Sequence, residues 1–350
     1  MHEERRLWLE AERQALAANE RRPDLVTAVI GALVTTVPLA VGVAWDHRVA
    51  GLFCALGGLN VALALPSGTR VTRRRWGAIT LIGSAAGVAL ATAVSSSLWL
   101  TVLVTLVWVA GWCLFRGVGV PAVGVGFVTC AVFIIVAGQP ARLGDVLPRT
   151  ALYLLGGAAA LILSVALVRP SAGATALARL FPATALARLA TTPGIVRRHA
   201  VRASLMVATA TLGYRVLHIP DGYWIPLAVI AVLQPDTTSG RTRALQRALG
   251  TLLGVVVAAV IIAVTRSDPV LLACILVTSG GLFALKSRNY FWMVALLTPL
   301  VLLMLTVVHY SGLRIIGYRV ADTLVGTAMA LVIVEIWDRG EAPDRHGGPG

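Results

Sequence analysis

The sequence predicts an all-α polytopic membrane bundle, about twelve transmembrane helices in two tandem six-helix repeats. Three observations carry that expectation. The 350 residues are 57% hydrophobic and only 13% charged, with a mean hydropathy of +0.83, whereas soluble domains run roughly 45–50% apolar and about 25% charged. Apolar runs of about 20 residues recur along the chain, the length that a hydrocarbon core about 30 Å thick demands of a helix. The two halves of the chain also echo each other in sequence, as an internal duplication does.

The runs are continuous rather than alternating, which favours helices over a barrel. In order they are 25–45, 49–65, 76–95, 97–114, 118–137 and 149–168, then 200–218, 221–235, 247–265, 268–285, 290–309 and 317–337. The expected organisation is an N-terminal segment (1–24), a first repeat (25–168), a basic linker (169–199), a second repeat (200–337) and a tail (338–350). Glu3 to Arg22 is rich in Ala, Leu, Glu and Arg and reads as a short surface helix. No small-residue cleavage site follows the first apolar run, so no cleavable signal peptide is expected. The linker holds the near-copies Leu177–Leu180 and Leu186–Leu189 and suits a basic stretch lying on an anionic leaflet.

The net charge of +14 would suggest nucleic acid in a soluble chain. Here it sorts by side. With both termini inside, all 30 Lys and Arg fall on the inner side except Arg48, Arg142, Arg149, Arg215, Arg266, Arg314 and Arg319. That asymmetry predicts cytoplasmic N- and C-termini in a multi-pass protein of the plasma (inner) membrane, with membrane lipid and no nucleic acid as surroundings. Cys54, Cys113, Cys130 and Cys274 sit in apolar runs without C-x-x-C spacing. They read as buried thiols, and no metal site is expected.

The repeat is specific. Arg149 and Gly156 match Arg319 and Gly326; Phe115-Arg116 matches Leu285-Lys286; with a shift of one, Thr80–Gly83 matches Thr251–Gly254. Six spans per half is an even number, so the halves run in the same direction about an axis along the membrane normal, a design recurrent in transporters.

The densest motif runs Asp221-Gly222-Tyr223-Trp224-Ile225-Pro226, then Gln234-Pro235-Asp236, Gly240-Arg241-Thr242-Arg243 and Gln246-Arg247-Ala248-Leu249-Gly250-Thr251-Leu252-Leu253-Gly254. This stretch resembles the signature of the fusaric-acid-resistance (FUSC) family of integral membrane proteins: a Tyr-Trp-x-Pro span, a Gln-Pro turn, and a basic run opening into Arg-x-x-Gly-Thr-x-x-Gly. The match is strong over roughly 215–265 and weaker elsewhere, with Ile79 in place of the first glycine in the other half. The resemblance implies a pump or channel that moves organic anions, often aromatic carboxylates, out of the cytoplasm. Better-known exporters of the family carry a sizeable cytoplasmic domain between the halves, which the short linker here does not match.

Read from their chemistry, these residues each carry two meanings. The span holding Pro226 is short, and short or broken spans at matching positions of two halves point to a binding site. Tyr223 and Trp224 could stack on an aromatic ligand or sit in the interfacial aromatic belt. Arg241, Arg243 and Arg247 could gather anions at a helix N-terminus or simply anchor the inner face. Gly250, Thr251 and Gly254 suit close helix packing. Arg215, Arg319 and Asp322 lie near outer span ends, where a cation facing a cavity suits anion passage and snorkelling is the alternative. His47 and His218 occupy equivalent outer positions and could titrate, or could be ordinary interfacial residues.

With Asp221 and Gln234 added, these residues form the candidate anion path. The expected function is efflux of small organic anions. The alternatives are a passive anion channel of similar fold and a non-transporting scaffold or subunit of an envelope export system. An enzyme is not expected: the sixteen acids and six histidines form no catalytic constellation, no Walker motif occurs and no cofactor is called for. Oligomeric state is left open between monomer and homo-oligomer.

Overall fold

A computed structural model describes residues 24–66, 69–118, 120–168, 194–233, 237–286, 288–309 and 314–340. Twelve α-helices run through them: α1 (Leu25–Ala44), α2 (Arg48–Ala64), α3 (Arg70–Val94), α4 (Leu98–Phe115), α5 (Val120–Ala137), α6 (Val146–Leu167), α7 (Gly194–Val216), α8 (Trp224–Val232), α9 (Thr237–Val264), α10 (Asp268–Leu285), α11 (Tyr290–His309) and α12 (Arg314–Gly340). No strand occurs among the described residues. Seven of these helices, with any flanking single turn, are long and apolar enough to cross a membrane, and α2 and α5 are shorter apolar helices. The chain is an all-α membrane protein.

Each expected span has one helix, but several starts differ. α3 begins at Arg70 rather than 76 because Thr69 caps it, its hydroxyl accepting from the Thr72 amide at 3.1 Å. α7 begins at Gly194, inside the stretch expected as linker, and α9 begins at Thr237 rather than 247. Hydropathy registers only the apolar length of a helix, and these basic flanks are helical extensions of it. The reverse holds for α8. Only Trp224–Val232 is helical, about 13.5 Å at 1.5 Å per residue, less than half the hydrocarbon thickness. All nine of its residues are buried. Pro226 lies in the first turn, where its missing N–H is one of the unsatisfied donors anyway. The surface helix expected at Glu3–Arg22, most of the linker, and Gln234–Asp236 fall outside the described residues.

The helix faces are those of a lipid-exposed protein. α4 buries Thr101, Thr105, Val109 and Cys113, one small or polar residue per turn. Its opposite face exposes Trp99, Leu100, Leu103 and Val107. Small and hydroxyl residues at helix contacts with large apolar ones outside is the pattern that lipid allows and water does not.

Helix pairings repeat with a shift of six. α2 packs on α6 and α8 on α12; α3 on α5 and α9 on α11; α3 on α6 and α9 on α12; α4 on α5 and α10 on α11. The glycines follow the pattern. A Cβ on Gly156 would collide with the Cys54 carbonyl oxygen across α2–α6, and one on Gly326 would lie 2.5 Å from the Ile225 carbonyl oxygen across α8–α12. These pairs of helices touch backbone to backbone. Pro38 in α1 and Pro299 in α11 each free the carbonyl four residues earlier. Both freed oxygens, of Val34 and Ala295, lie against a glycine of a neighbouring helix, Gly58 of α2 and Gly254 of α9.

The two sets of six meet along α4–α7 and α1–α10, and also along α5–α8 and α2–α11. The second pair of contacts brings α2, α5, α8 and α11 together.

Candidate functional site

Two adjoining cavities open where those helices converge. The larger, about 470 Å³, is walled by α4 and α5 on one side and by α8, α9 and α11 on the other. Its volume lies within the range of small-molecule sites, about 300–1,000 Å³. The smaller, about 90 Å³, is walled by α2, α5, α8 and α11 with Arg247 of α9. Leu63, Phe127, Val128 and Leu297 line both. The larger lies at the end bearing Arg116, Arg243 and Lys286, the basic end; the smaller reaches Gln139 and Tyr223 at the other.

The charge on the walls has one sign. Arg116, Arg243 and Lys286 line the larger cavity and Arg247 the smaller, and no Asp or Glu among the described residues lines either. Apart from the amides Asn60, Gln139 and Asn289, the rest is apolar or aromatic, with Trp112, Phe127, Tyr290 and Met293 prominent.

Each cation is held differently. Arg116 stands 2.8 Å from His199 Nε2. Lys286 donates to the carbonyls of Ala62 and Leu63 at the end of α2, at 2.8 and 3.3 Å, with Phe283 under its ammonium. Burial pushes the Lys286 pKa down to about 8, Asp24 opposing and Arg73 reinforcing the shift. Arg243 lies over the face of Tyr290, 5.0 Å from the ring centroid. Arg247 is only 5% exposed. Its Nη1 donates to the Tyr290 hydroxyl at 3.3 Å, while Nε and Nη2 are buried with no hydrogen-bond partner. Unmet guanidinium donors in a low-dielectric wall are costly unless an anion meets them.

Of the residues expected to form an anion path, Arg243, Arg247, Tyr223 and Trp224 line these cavities. Tyr223 and Trp224 are buried, 3% and 2% exposed, with rings 4.8 Å apart. Both rings face protein rather than the outer surface of the bundle. Tyr223 also packs on Gly138, where a Cβ would lie 2.5 Å from the Tyr223 Cβ. Pro226 is buried in α8 without lining either cavity, and Asp221 is exposed in the preceding turn with φ 54°.

Arg215 lies elsewhere. Its guanidinium donates to the carbonyls of Ser95 (2.6 Å) and Ala137 (3.4 Å) and to the Thr101 hydroxyl (3.1 Å). Carbonyls at helix ends satisfy it, so it ties helices together instead of facing a cavity. Asp322 is buried in α12 and lines neither cavity. Gln234 is outside the described residues, as are the side chains of Arg241 and Arg319. Gly250 and Gly254 press on α11: a Cβ on the first would meet the Phe291 carbonyl oxygen at 2.9 Å, and one on the second the Ala295 carbonyl oxygen at 2.8 Å. Thr251 is buried beside them. His47 and His218 are exposed in turns.

Sequence reasoning did not pick out Arg116, Lys286, Asn60 or Tyr290 as lining residues. The first two were visible as a matched pair across the repeat, which was the available signal. Among the described residues no cluster of metal-binding side chains occurs.

The family model described as Fusaric acid resistance protein-like matches residues 205–333, covering α8, α9 and α11. The similarity to that family lies in the second half of the chain. Inner membrane protein YccS of Escherichia coli is 33% identical over 156 residues, 43% of this chain and 21% of that protein. The uncharacterized protein ORF2 of Neisseria gonorrhoeae is 32% identical over 143 residues, 41% of this chain and 34% of that one. An uncharacterized protein of Haemophilus influenzae is 32% identical over 141 residues, 40% and 20% respectively. The chain thus matches only a fifth to a third of the length of these relatives. No solved structure matches it. The matched residues 205–333 include Tyr223, Trp224, Arg243, Arg247, Lys286 and Tyr290 of the cavity walls.

Proposed function

We propose that this protein carries small organic anions, aromatic carboxylates foremost, out of the cytoplasm across the inner membrane. The observation that carries the reading is Arg247, a buried cation with two unmet donors in a cavity system whose described walls hold no acid. A carboxylate fits a guanidinium fork, and the aromatic walls suit a ligand with an apolar body. The two sets of six helices act as repeats, and the ligand lodges where they meet. The basic end faces the cytoplasm, with both chain termini on that side, following the inner excess of Lys and Arg. The similarity to inner membrane protein YccS supports the location.

A passive anion channel is the second reading. An inside-negative potential alone favours anion exit by about 2.3 kcal/mol per charge per 100 mV. The packing of Tyr223 on Gly138 at the far end of the smaller cavity favours a carrier that closes there.

The test is flux of radiolabelled benzoate in proteoliposomes holding the full chain, with membrane potential and pH gradient set independently. A carrier gives saturable flux that responds to the imposed gradient. Flux that follows voltage without saturating would establish a channel, and no flux above empty liposomes would favour a scaffold.

A further inference from the structure

The two halves keep the same helix pairings, but one of them lacks the deep cation. At the basic end each half places a cation at a matched turn, Arg116 after α4 and Lys286 after α10. Each also has an arginine in the first turn or two of the next paired helix, Arg73 in α3 and Arg243 in α9. About one turn deeper the halves diverge. α9 carries Arg247 with Tyr290 beside it. In the register that aligns Thr80 with Thr251, the first-half counterpart of Arg247 is Trp76 of α3. In the register that aligns Arg116 with Lys286, the counterpart of Tyr290 is Val120.

Trp76 is as buried as Arg247, 5% exposed each. Its indole meets Phe115 edge-on, ring centroids 6.1 Å apart. It joins Ala64, Val118, Ala122 and Val125 in an apolar cluster separate from the main core. Where α9 offers a guanidinium, α3 offers a bicyclic apolar ring packed among methyl groups. An anion there would lose its hydration to an apolar ring, and the nearest arginine on that face of α3, Arg73 (8% exposed), sits one turn nearer the basic end.

We infer that the chain holds one anion site, built by the second half around Arg247, Tyr290 and Arg243, and that Trp76 plugs its equivalent in the first half. This rests on the reading of the cavity as an anion site. The two copies of the repeat have thus divided their labour: both place cations toward the basic end, and only the second sets one beside Tyr290 as the binding fork. The ligand lies off the axis relating the halves, and binding is non-cooperative within one chain.

The test counts benzoate bound per chain by equilibrium dialysis of the full-length protein purified in detergent. One benzoate per chain is expected. Arg247→Gln should weaken binding at least tenfold, Arg247→Lys should keep the single site at reduced affinity, and Trp76→Phe should leave the count at one. Two benzoates per chain, or a saturable site of undiminished affinity in Arg247→Gln, would overturn the single-site inference while leaving the cavity an anion site. Absence of saturable benzoate binding in the unmodified protein would overturn the reading of the cavity itself.

Discussion

Arg48, the first residue of α2, grips Asp268, the first residue of α10, through both terminal nitrogens at 3.1 and 2.7 Å. The same guanidinium donates to the Val307 carbonyl at the end of α11, at 2.7 Å. On the opposite seam, Arg215 reaches the Ala137 carbonyl at the end of α5, the first-half counterpart of Val307. One arginine closes each seam between the halves at the end away from the basic loops. The Arg48 seam holds an acid, and the pair is about one-fifth exposed. Bidentate geometry with part burial makes it stronger than a typical surface pair. Asp268→Asn should therefore cost about 1–2 kcal/mol, a fall of roughly 2–8 °C in melting temperature. A thermal melt of the purified protein checks this, and a double-mutant cycle with Arg48→Gln should show coupling between the two positions.

Arg247→Gln should raise the benzoate concentration for half-maximal flux by roughly 10- to 100-fold, the span expected for losing about 1.5–3 kcal/mol of charged hydrogen bonding. Tyr290→Phe removes only the hydroxyl that orients it and should cost less, on the order of threefold. Membrane abundance should stay unchanged in both. A parallel loss of protein and flux would mark Arg247 as an anchor instead.

Tyr223→Phe keeps the ring that packs on Gly138 and should leave flux near normal. Tyr223→Ala empties the end of the smaller cavity and should let preloaded proteoliposomes leak benzoate without a counter-gradient. Leak equal to the unmodified protein would remove Tyr223 from the closing contact.

Lys286, with its pKa lowered to about 8, is charged below that pH and neutral above it. Anion affinity should fall as pH rises from 7 to 9, the direction expected for losing a wall cation. Lys286→Arg should flatten that dependence because guanidinium keeps its proton throughout. Flux measured across this pH range at fixed potential checks it.

Gly326→Leu and Gly156→Leu should each destabilise the protein by about 1–3 kcal/mol or prevent assembly, since each side chain would meet a backbone carbonyl of the facing helix. Gly213→Leu, where a Cβ meets nothing within 4 Å, is the control. Detergent-stable yield separates the three.

Much of this was legible beforehand because lipid imposes a simple rule on sequence. Every expected span has its helix, since a helix crossing hydrocarbon must be apolar for its whole length. Gly156 and Gly326 stood out as a matched pair across the repeat, and both lie where two helix backbones meet. Arg243 and Arg247 were visible as a basic run beside a short span. Arg215 was not readable as a strap, nor Lys286 as a cavity wall. Nothing local tells a cation near a span end which distant carbonyls or helices it will face. Trp76 was equally opaque: in one dimension it is one more aromatic residue at a span's start.

Composition and the period of the apolar runs thus determined membrane residence, helix count and the repeat, because each is enforced residue by residue by the surrounding lipid. Which cations share a wall, which is left with unmet donors and which copy is plugged were decided by tertiary packing alone. Those properties belong to the distances between helices, and residues far apart in the chain set them together.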